Sequence, residues 1–311
     1  MKAEILDKAL LSLCIKPADC KLIGGYSGNV FEIDGEAGSI LKIIDKTAAS
    51  EAGLLAEVEW QHFLHGQGVK VARPLRISGN DFIRHIDSNY CCVMYEKING
   101  RTVSPSDQSV WNSDLFMHWG EAMGQIHAAA ARYGIRDGLL QWNENKVLRQ
   151  LDSVQWNPGI RRRWDHYLQE LNELPRREGW YGLIHGDLHS GNLLVHEQSL
   201  YILDFGDCEY HWFAYDIATA VYHAVQTAVP GARTSLASEF CNAFIKGYLL
   251  RNPNAPSLQE IRYFIEYRHL FSFTYHWLYA DKSSLTPGQL QYLQQMEQSL
   301  ADGTPFLDNF G

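Results

Sequence analysis

In the first hundred residues the apolar positions come in short runs bounded by glycines and polar turns; from Gly100 onward they recur every three or four residues. The runs "NVFEI" (29–33) and "SILKII" (39–44) are joined through Asp34-Gly35 and Gly38, which predicts a β-hairpin. "DFIRHI" (81–86) and "YCCVMYEKI" (90–98), separated by an Asp-Ser-Asn turn, predict a second strand pair, and the two pairs together suggest an antiparallel sheet. Between them, residues 49–65 carry Leu54, Leu55, Val58, Phe63 and Leu64 with Glu57 and Glu59, and run out at Gly66 and Gly68, as a helix with a glycine stop would. Farther on, Leu115, Trp119, Met123, Ile126 and Ala130 keep amphipathic helical spacing, as do Ile217, Val221, Ala224 and Ala228. Stretches near 236–250, 258–279 and 287–301 continue the pattern. The expected fold is therefore α+β: an antiparallel sheet with a helix over residues 1–95, a mostly helical part over 96–311, a linker near 94–100, and a groove between the two lobes suited to a ligand.

Charge and cysteine usage narrow the function classes. A formal charge of −9 and a pI near 5.8 leave no basic footprint for nucleic acid, and the balance suits a cationic small substrate better. The one basic run, Arg161-Arg162-Arg163, is followed by Trp164 and Tyr167 and reads as the solvated face of a helix. Six cysteines without a CxxC pair suit thiols in a reducing compartment. No apolar run approaches the roughly 18 residues that a membrane span takes, and the N-terminal segment is acidic and amphipathic. These features place the chain in the cytoplasm without a membrane or nucleic-acid partner; they say nothing of oligomeric state.

The chemistry concentrates in "IHGDLHSGNLLVHEQSLYILDFGD" (184–207). "LLV" (193–195) and "YIL" (201–203) predict two strands around a turn at 196–199, so that Asp187 and Asn192 before the first strand and Asp204 after the second can converge. An amide oxygen and carboxylates at one point suit a hard cation such as Mg2+, which takes few protein ligands and keeps substrate phosphates. The order matches a kinase catalytic loop: an Asp, an Asn five residues on, then a DFG element, Asp204-Phe205-Gly206. Upstream stand Gly24-Gly25-Tyr26-Ser27-Gly28-Asn29, either a phosphate-cradling loop or a plain hairpin turn, and Lys42 in an apolar strand. Lys42 reads as a buried cation paired with a helix glutamate or as an edge lysine reaching water. Glu57 and Glu59, about 200° apart around a helix, cannot both face it.

With these residues the chain resembles the aminoglycoside phosphotransferase and choline kinase superfamily. "HGDLHSGNLLV" and "ILDFGD" are similar to that family's HGDxxxxN and DFxD elements, "WGEAMGQIHAA" (119–129) to the helix before its catalytic loop, and "GVKVARPL" (68–75) to the link after its lysine-partner helix. The resemblance implies a protein-kinase-like bilobal fold that binds ATP, or GTP. Ser27 and Gly28 would contact nucleotide, Lys42 with Glu57 the phosphates, and Met94, Glu96 and Ile98 the base. It further implies Asp187 as catalytic acceptor, Asn192 and Asp204 as Mg2+ ligands, Asp216 as an anchor of the catalytic loop, and a packing role for His185. Gly186 departs from the Arg of protein kinases, and the activation segment is almost absent, which removes a peptide platform.

The acceptor pocket is expected around Asp207, Glu209, Tyr210, His211 and Trp212, with Tyr267, Tyr275 and Trp277 from "EYRHLFSFTYHWLY" (266–279). Acids with aromatic faces suit an ammonium group, although aromatics at helical spacing also serve as core. The expected function is an ATP-dependent phosphotransferase acting on a hydroxyl of a small polar, amine-bearing metabolite or an aminoglycoside-like antibiotic. A compact Ser/Thr protein kinase and a non-catalytic nucleotide-binding protein are the alternatives. A metal hydrolase built on His185 and His189 would leave Lys42 and Glu57 without a role.

Overall fold

The computed structural model describes residues 3–25, 28–35, 38–47, 50–308 and 310. They form two compact units, and the chain passes between them more than once. The first takes the chain up to Val103 with Tyr133–Leu139 and Asn192–Gly206; the second takes Ser104–Arg132, Leu140–Gly191 and the chain from Asp207 on.

The first unit is an antiparallel sheet of β1 (Cys20–Gly24), β2 (Val30–Ile33), β3 (Ser39–Asp45), β4 (Pro74–Leu75), β5 (Ile83–His85) and β6 (Tyr90–Glu96), in the order β1-β2-β3-β6-β4 with β5 also on β6. The two strand pairs expected from the sequence meet through β3 and β6, whose register runs from Ser39 opposite Glu96 to Asp45 opposite Tyr90. Because side chains alternate across a strand, β3 divides its residues between two cores. Leu41 and Ile43 pack with Phe31, Ile33 and Cys92 against Ile5, Ala9 and Leu10 of the helix Ala3–Ser12, which the sequence reading does not single out. Ile40 and Ile44 join Val93 and Tyr95 against Leu54 and Val58 of the helix Glu51–Gly66. Lys42 shares the second face by periodicity. That helix starts where expected because the Ser50 hydroxyl accepts from Gly53 N at 3.1 Å.

The hairpin read from "LLV" and "YIL" is present as Leu193–His196 paired with Ser199–Ile202. It belongs to the first unit because Arg101–Thr102 pairs with its first strand and Ile202 N donates to Lys70 O at 2.8 Å.

The second unit is mostly helical, with one short ladder of Tyr181–Leu183 on Tyr210–Trp212. The helix Ser113–Tyr133 buries Leu115, Trp119, Met123, Ile126 and Ala130, the stripe expected of it. It approaches Arg233–Leu249 backbone to backbone: a Cβ on Gly120 would strike the Phe244 carbonyl, and one on Gly247 that of Met117. Phe213–Val225 is buried around almost its whole circumference and stops short of Ala228, where its spacing was expected to reach. Along Pro158–Glu173, Trp164 and Tyr167 face inward while Arg161 pairs with Asp152 and Asp165 at the surface. No described helix is long and apolar enough to cross a membrane, and none of the described cysteines is in a disulfide.

Candidate active site

In the first unit the hairpin brings distant residues to one end. Leu193 pairs with Ile202, and Leu203 N donates to Asn192 O at 2.9 Å, so Asn192 and Asp204 flank the same ladder. Asp204 adopts a left-handed backbone (φ 58°), a conformation that costs most side chains energy and that Asp tolerates better than most. Its Oδ1 accepts from Lys42 Nζ at 2.9 Å; the Asp204 side chain is 54% exposed and that of Lys42 25%. Glu57 is half-buried and Glu59 exposed, so the helix turns Glu57 toward the protein. An asparagine and an aspartate flanking one ladder, with a lysine on the aspartate, are residue types that suit a divalent cation whose remaining ligands are water or phosphate.

Ser27 lies outside the described residues. Gly28 next to it takes φ 60°, and a Cβ there would meet nothing within 4 Å, so conformation rather than space favours glycine. Asn29 ties this turn to β3 by donating from Nδ2 to Ile43 O at 2.7 Å. Met94, Glu96 and Ile98 are half-buried, and Glu96 accepts from Arg73 Nε at 3.1 Å.

In the second unit the loop that carries Asp187 is held from beneath. Asp216, fully buried, accepts from His185 N and Gly186 N at 3.0 Å each and lies 3.0 Å from His127 Nε2, in the anchoring place that the resemblance implies. Burial opposes the Asp216 anion, but His127, His185 and the backbone amides outweigh it and hold the carboxyl below its ordinary range. Burial lowers the His127 pKa, against the opposing pull of Asp216. Its ring stacks on Phe213 at 4.0 Å, and its Nδ1 is 2.9 Å from Tyr248 OH. Gly186 has φ 84°, and a Cβ there would run into the Asp207 carbonyl. No side chain fits, which is why the Arg of protein kinases has no counterpart.

Asp187 Oδ1 accepts from Arg268 Nη2 at 2.7 Å and lies 3.3 Å from His223 Nε2, and Oδ2 lies 3.6 Å from His189 Nε2. Arg268, only 9% exposed at its side chain, also donates to Gly186 O at 3.3 Å and to Tyr215 OH at 3.1 Å. Burial alone would raise the Asp187 pKa; His223, Arg268 and His189 outweigh it and hold the carboxyl well below the usual range. Asp187 is thus favoured as the anion by its surroundings. It can accept a hydrogen bond and orient a hydroxyl, and it is a weak store for a proton. Sequence reasoning missed Arg268, His223 and His127. Arg268 stood in the quoted "EYRHLFSFTYHWLY", where a single guanidinium among aromatic and apolar residues was the available signal.

The acceptor candidates separate by burial. Asp207 is exposed. Glu209, 6% exposed, accepts from Asn145 Nδ2 at 2.8 Å, and burial, aided by Asp207, pushes its carboxyl up to about 8. Tyr210, His211, Trp212 and Tyr267 are buried: Tyr210 N donates to Leu140 O, Trp212 Nε1 donates to Pro175 O at 3.1 Å, and His211 stacks on Tyr215 at 4.0 Å. They serve as core in this structure. Tyr275 and Trp277 are half-buried and already carry Lys146 and Lys282 over their rings, at 5.4 and 3.5 Å from the centroids. The ring nitrogens of His185 and His189 accept from Asp187 N and Gly191 N, as loop supports.

Comparison with known proteins agrees with this arrangement. The sequence profile of the phosphotransferase enzyme family matches residues 19–268. Amicoumacin kinase of Bacillus subtilis (strain 168) is 29% identical over 277 residues, covering 86% of this chain and 82% of that one. Among solved structures, an amicoumacin kinase in complex with AMP-PNP, Ca2+ and Ami superposes with a TM-score of 0.88 at 26% identity, over 100% of this chain and 96% of that one. A microcompartment-associated aminopropanol kinase is alike in fold, with a TM-score of 0.71 at 19% identity over 96% and 95% of the two chains. A profile match over most of the chain, with this fold and these residues, shows that the chain belongs to the phosphotransferase enzyme family.

Proposed function

We propose that this small-molecule phosphotransferase moves the γ-phosphoryl group of Mg2+–ATP to a hydroxyl of an acceptor related in kind to amicoumacin. The observation that carries the reading is Asp187: an aspartate kept ionised by Arg268 and His223, on a loop whose backbone is pinned by Asp216. Such a group accepts the hydrogen bond of an attacking hydroxyl and fixes its direction, and positioning is most of what phosphoryl transfer asks of a protein. Lys42 is assigned to the nucleotide phosphates with Glu57 behind it, Gly28 and Ser27 to the loop over them, and Met94, Glu96 and Ile98 to the base. Asn192 and Asp204 would hold the metal, which when bound neutralises charge on the transferred group. Asp207 is the exposed acid available to an amine on the acceptor, with Glu209 buried behind it. Cysteines outside any disulfide support a cytoplasmic site of action.

The test is ADP release from purified protein with Mg–ATP against amicoumacin, spectinomycin, aminopropanol, choline and ethanolamine, with Asp187→Asn alongside. Turnover of one acceptor that falls by about 10³-fold or more in Asp187→Asn, with nucleotide affinity kept, supports the reading. Asp204→Ala should weaken Mg–nucleotide binding as well. Near-wild-type turnover in Asp187→Asn would refute the assignment, and nucleotide binding without transfer to any acceptor would leave a binding protein in its place.

A further inference from the structure

A cavity of about 340 Å³ opens in the second unit between the helices Phe213–Val225, Leu258–Tyr279 and Pro287–Asp302. One of its walls is His223, the residue whose Nε2 lies 3.3 Å from Asp187 Oδ1 and 3.0 Å from Arg268 Nη2. A molecule seated there would touch His223, which separates it from the carboxylate assigned to orient the acceptor hydroxyl. The volume falls within the roughly 300–1,000 Å³ typical of small-molecule sites.

The wall chemistry is specific. Tyr292 supplies ring surface, with the buried Tyr222 and Met296 behind the wall, and Gln226 and Gln289 supply amides. Gln226 Nε2 donates to Tyr292 OH at 3.1 Å, so this amide is already oriented. None of the described lining residues is Asp, Glu, Lys or Arg. An ammonium entering this space would shed its water without meeting a carboxylate, with the Arg268 guanidinium beyond His223. The Asp187 and Arg268 charges are spent on each other, so an anion gains little there either. A flat, uncharged group can stack on the Tyr292 ring while amides read its polar edge.

Resting on the phosphotransferase reading, we propose that this cavity receives an uncharged, ring-bearing part of the acceptor with a carbonyl or amide edge, and so selects amphipathic acceptors over polycations. The amine, where the acceptor has one, is bound elsewhere.

The test uses benzamide and benzylamine, rings of like size of which one is neutral and the other a cation. Each is titrated into the whole protein by ligand-observed NMR and as an inhibitor competing with the best acceptor found. Benzamide is expected to bind at least about tenfold tighter than benzylamine, a contrast of the size that matched and mismatched pockets give. Gly288→Trp then adds a large ring at the cavity's edge: Gly288 is an exposed wall residue near the start of a helix, and a Cβ there meets nothing within 4 Å. This variant, checked for native melting, should weaken benzamide and raise the acceptor KM by about tenfold. Benzylamine binding as tightly as benzamide in the wild type, or benzamide binding unchanged in folded Gly288→Trp, would overturn the proposal. Absence of transfer to every acceptor, with benzamide still preferred and displaced by the tryptophan, would sink the functional reading and leave the cavity's preference standing.

Discussion

Asp187 and Asp204 belong to one motif in the sequence, yet the structure treats them in opposite ways. In the second unit Asp187 rests against Arg268, which is almost wholly buried, on a loop held by the fully buried Asp216. In the first unit Asp204 is more than half exposed, meets Lys42 in a partly open contact and takes a left-handed backbone. The difference matches the two roles proposed for these charges. Orienting a hydroxyl demands an anion that does not move, and buried partners fix it. Holding a metal and its phosphates demands a carboxylate that can exchange a lysine for a cation, and a weak, solvated ion pair permits that. The contrast predicts that charges around Asp187 matter to both stability and turnover, whereas the Lys42–Asp204 pair matters to turnover alone.

The largest effect should come from Asp216→Ala. It leaves the amides of His185 and Gly186 and the His127 ring without their acceptor in a fully buried place. Breaking such a buried set costs about 3–5 kcal/mol, and thermal melting should fall by roughly 10 °C together with loss of turnover. A loss below about 1 kcal/mol would mean that the loop is held by other means.

Next is Arg268→Met, which strips Asp187 of its chief cation and should destabilise by about 2–4 kcal/mol. The same change sharpens a kinetic point. With Arg268 present the Asp187 pKa is held down, so kcat should show no acid limb from this group at mildly acidic pH. Without Arg268 one of the groups that lower it is lost, His223 and His189 remaining, and the carboxyl rises, so kcat should begin to fall at a higher pH than in the wild type as pH is lowered. A pH–rate profile of kcat for the two proteins decides it, and identical profiles would remove Arg268 from the positioning role.

A smaller effect is expected at Glu209. Its folded pKa is raised to about 8, against roughly 4.3 in the unfolded chain. The folded state therefore binds the extra proton between those values, and the group's contribution to stability declines as pH rises from about 4.3 to about 8. Glu209→Gln keeps the shape and removes the titration, so its melting temperature relative to wild type should be higher at pH 8.5 than at pH 5. A constant difference across that range would show that the carboxyl ionises normally.

Much of this arrangement is legible along the chain because its signals are local. The alternation in 39–44 and 90–98 gives strands, and the apolar stripe from Leu115 to Ala130 gives a helix. Asp187, Asn192 and Asp204 are marked by spacing within one segment. The partners that set their behaviour are not local. Arg268, His223 and His127 reach the catalytic loop only after helices pack, and no periodicity marks an arginine that will meet an aspartate far away in sequence. Tyr210 and Trp212 look like a ligand wall beside two acids, and the structure buries both, Trp212 also lining a cavity with Pro175 and Phe264. The hairpin 193–202 is readable as a hairpin, but its union with the first unit depends on Arg101–Thr102 and Lys70, which carry no strand signal of their own.

The smallest effect belongs to Lys42 and Asp204, and it is the sharpest check on the contrast between the two aspartates. A double-mutant cycle with Lys42→Met and Asp204→Asn should give a coupling in folding stability of about 0–1 kcal/mol, as exposed ion pairs do, and added salt should shrink it further. Asn at 204 keeps a residue type that tolerates the left-handed backbone, so strain does not obscure the comparison. Each single variant should still lose about 100-fold or more in turnover, because phosphoryl transfer depends on the charges these groups supply even though folding does not. A coupling above about 2 kcal/mol that salt leaves intact would show the pair to be as structural as Asp187 with Arg268. The division between a fixed orienting anion and an exchangeable metal carboxylate would then fall.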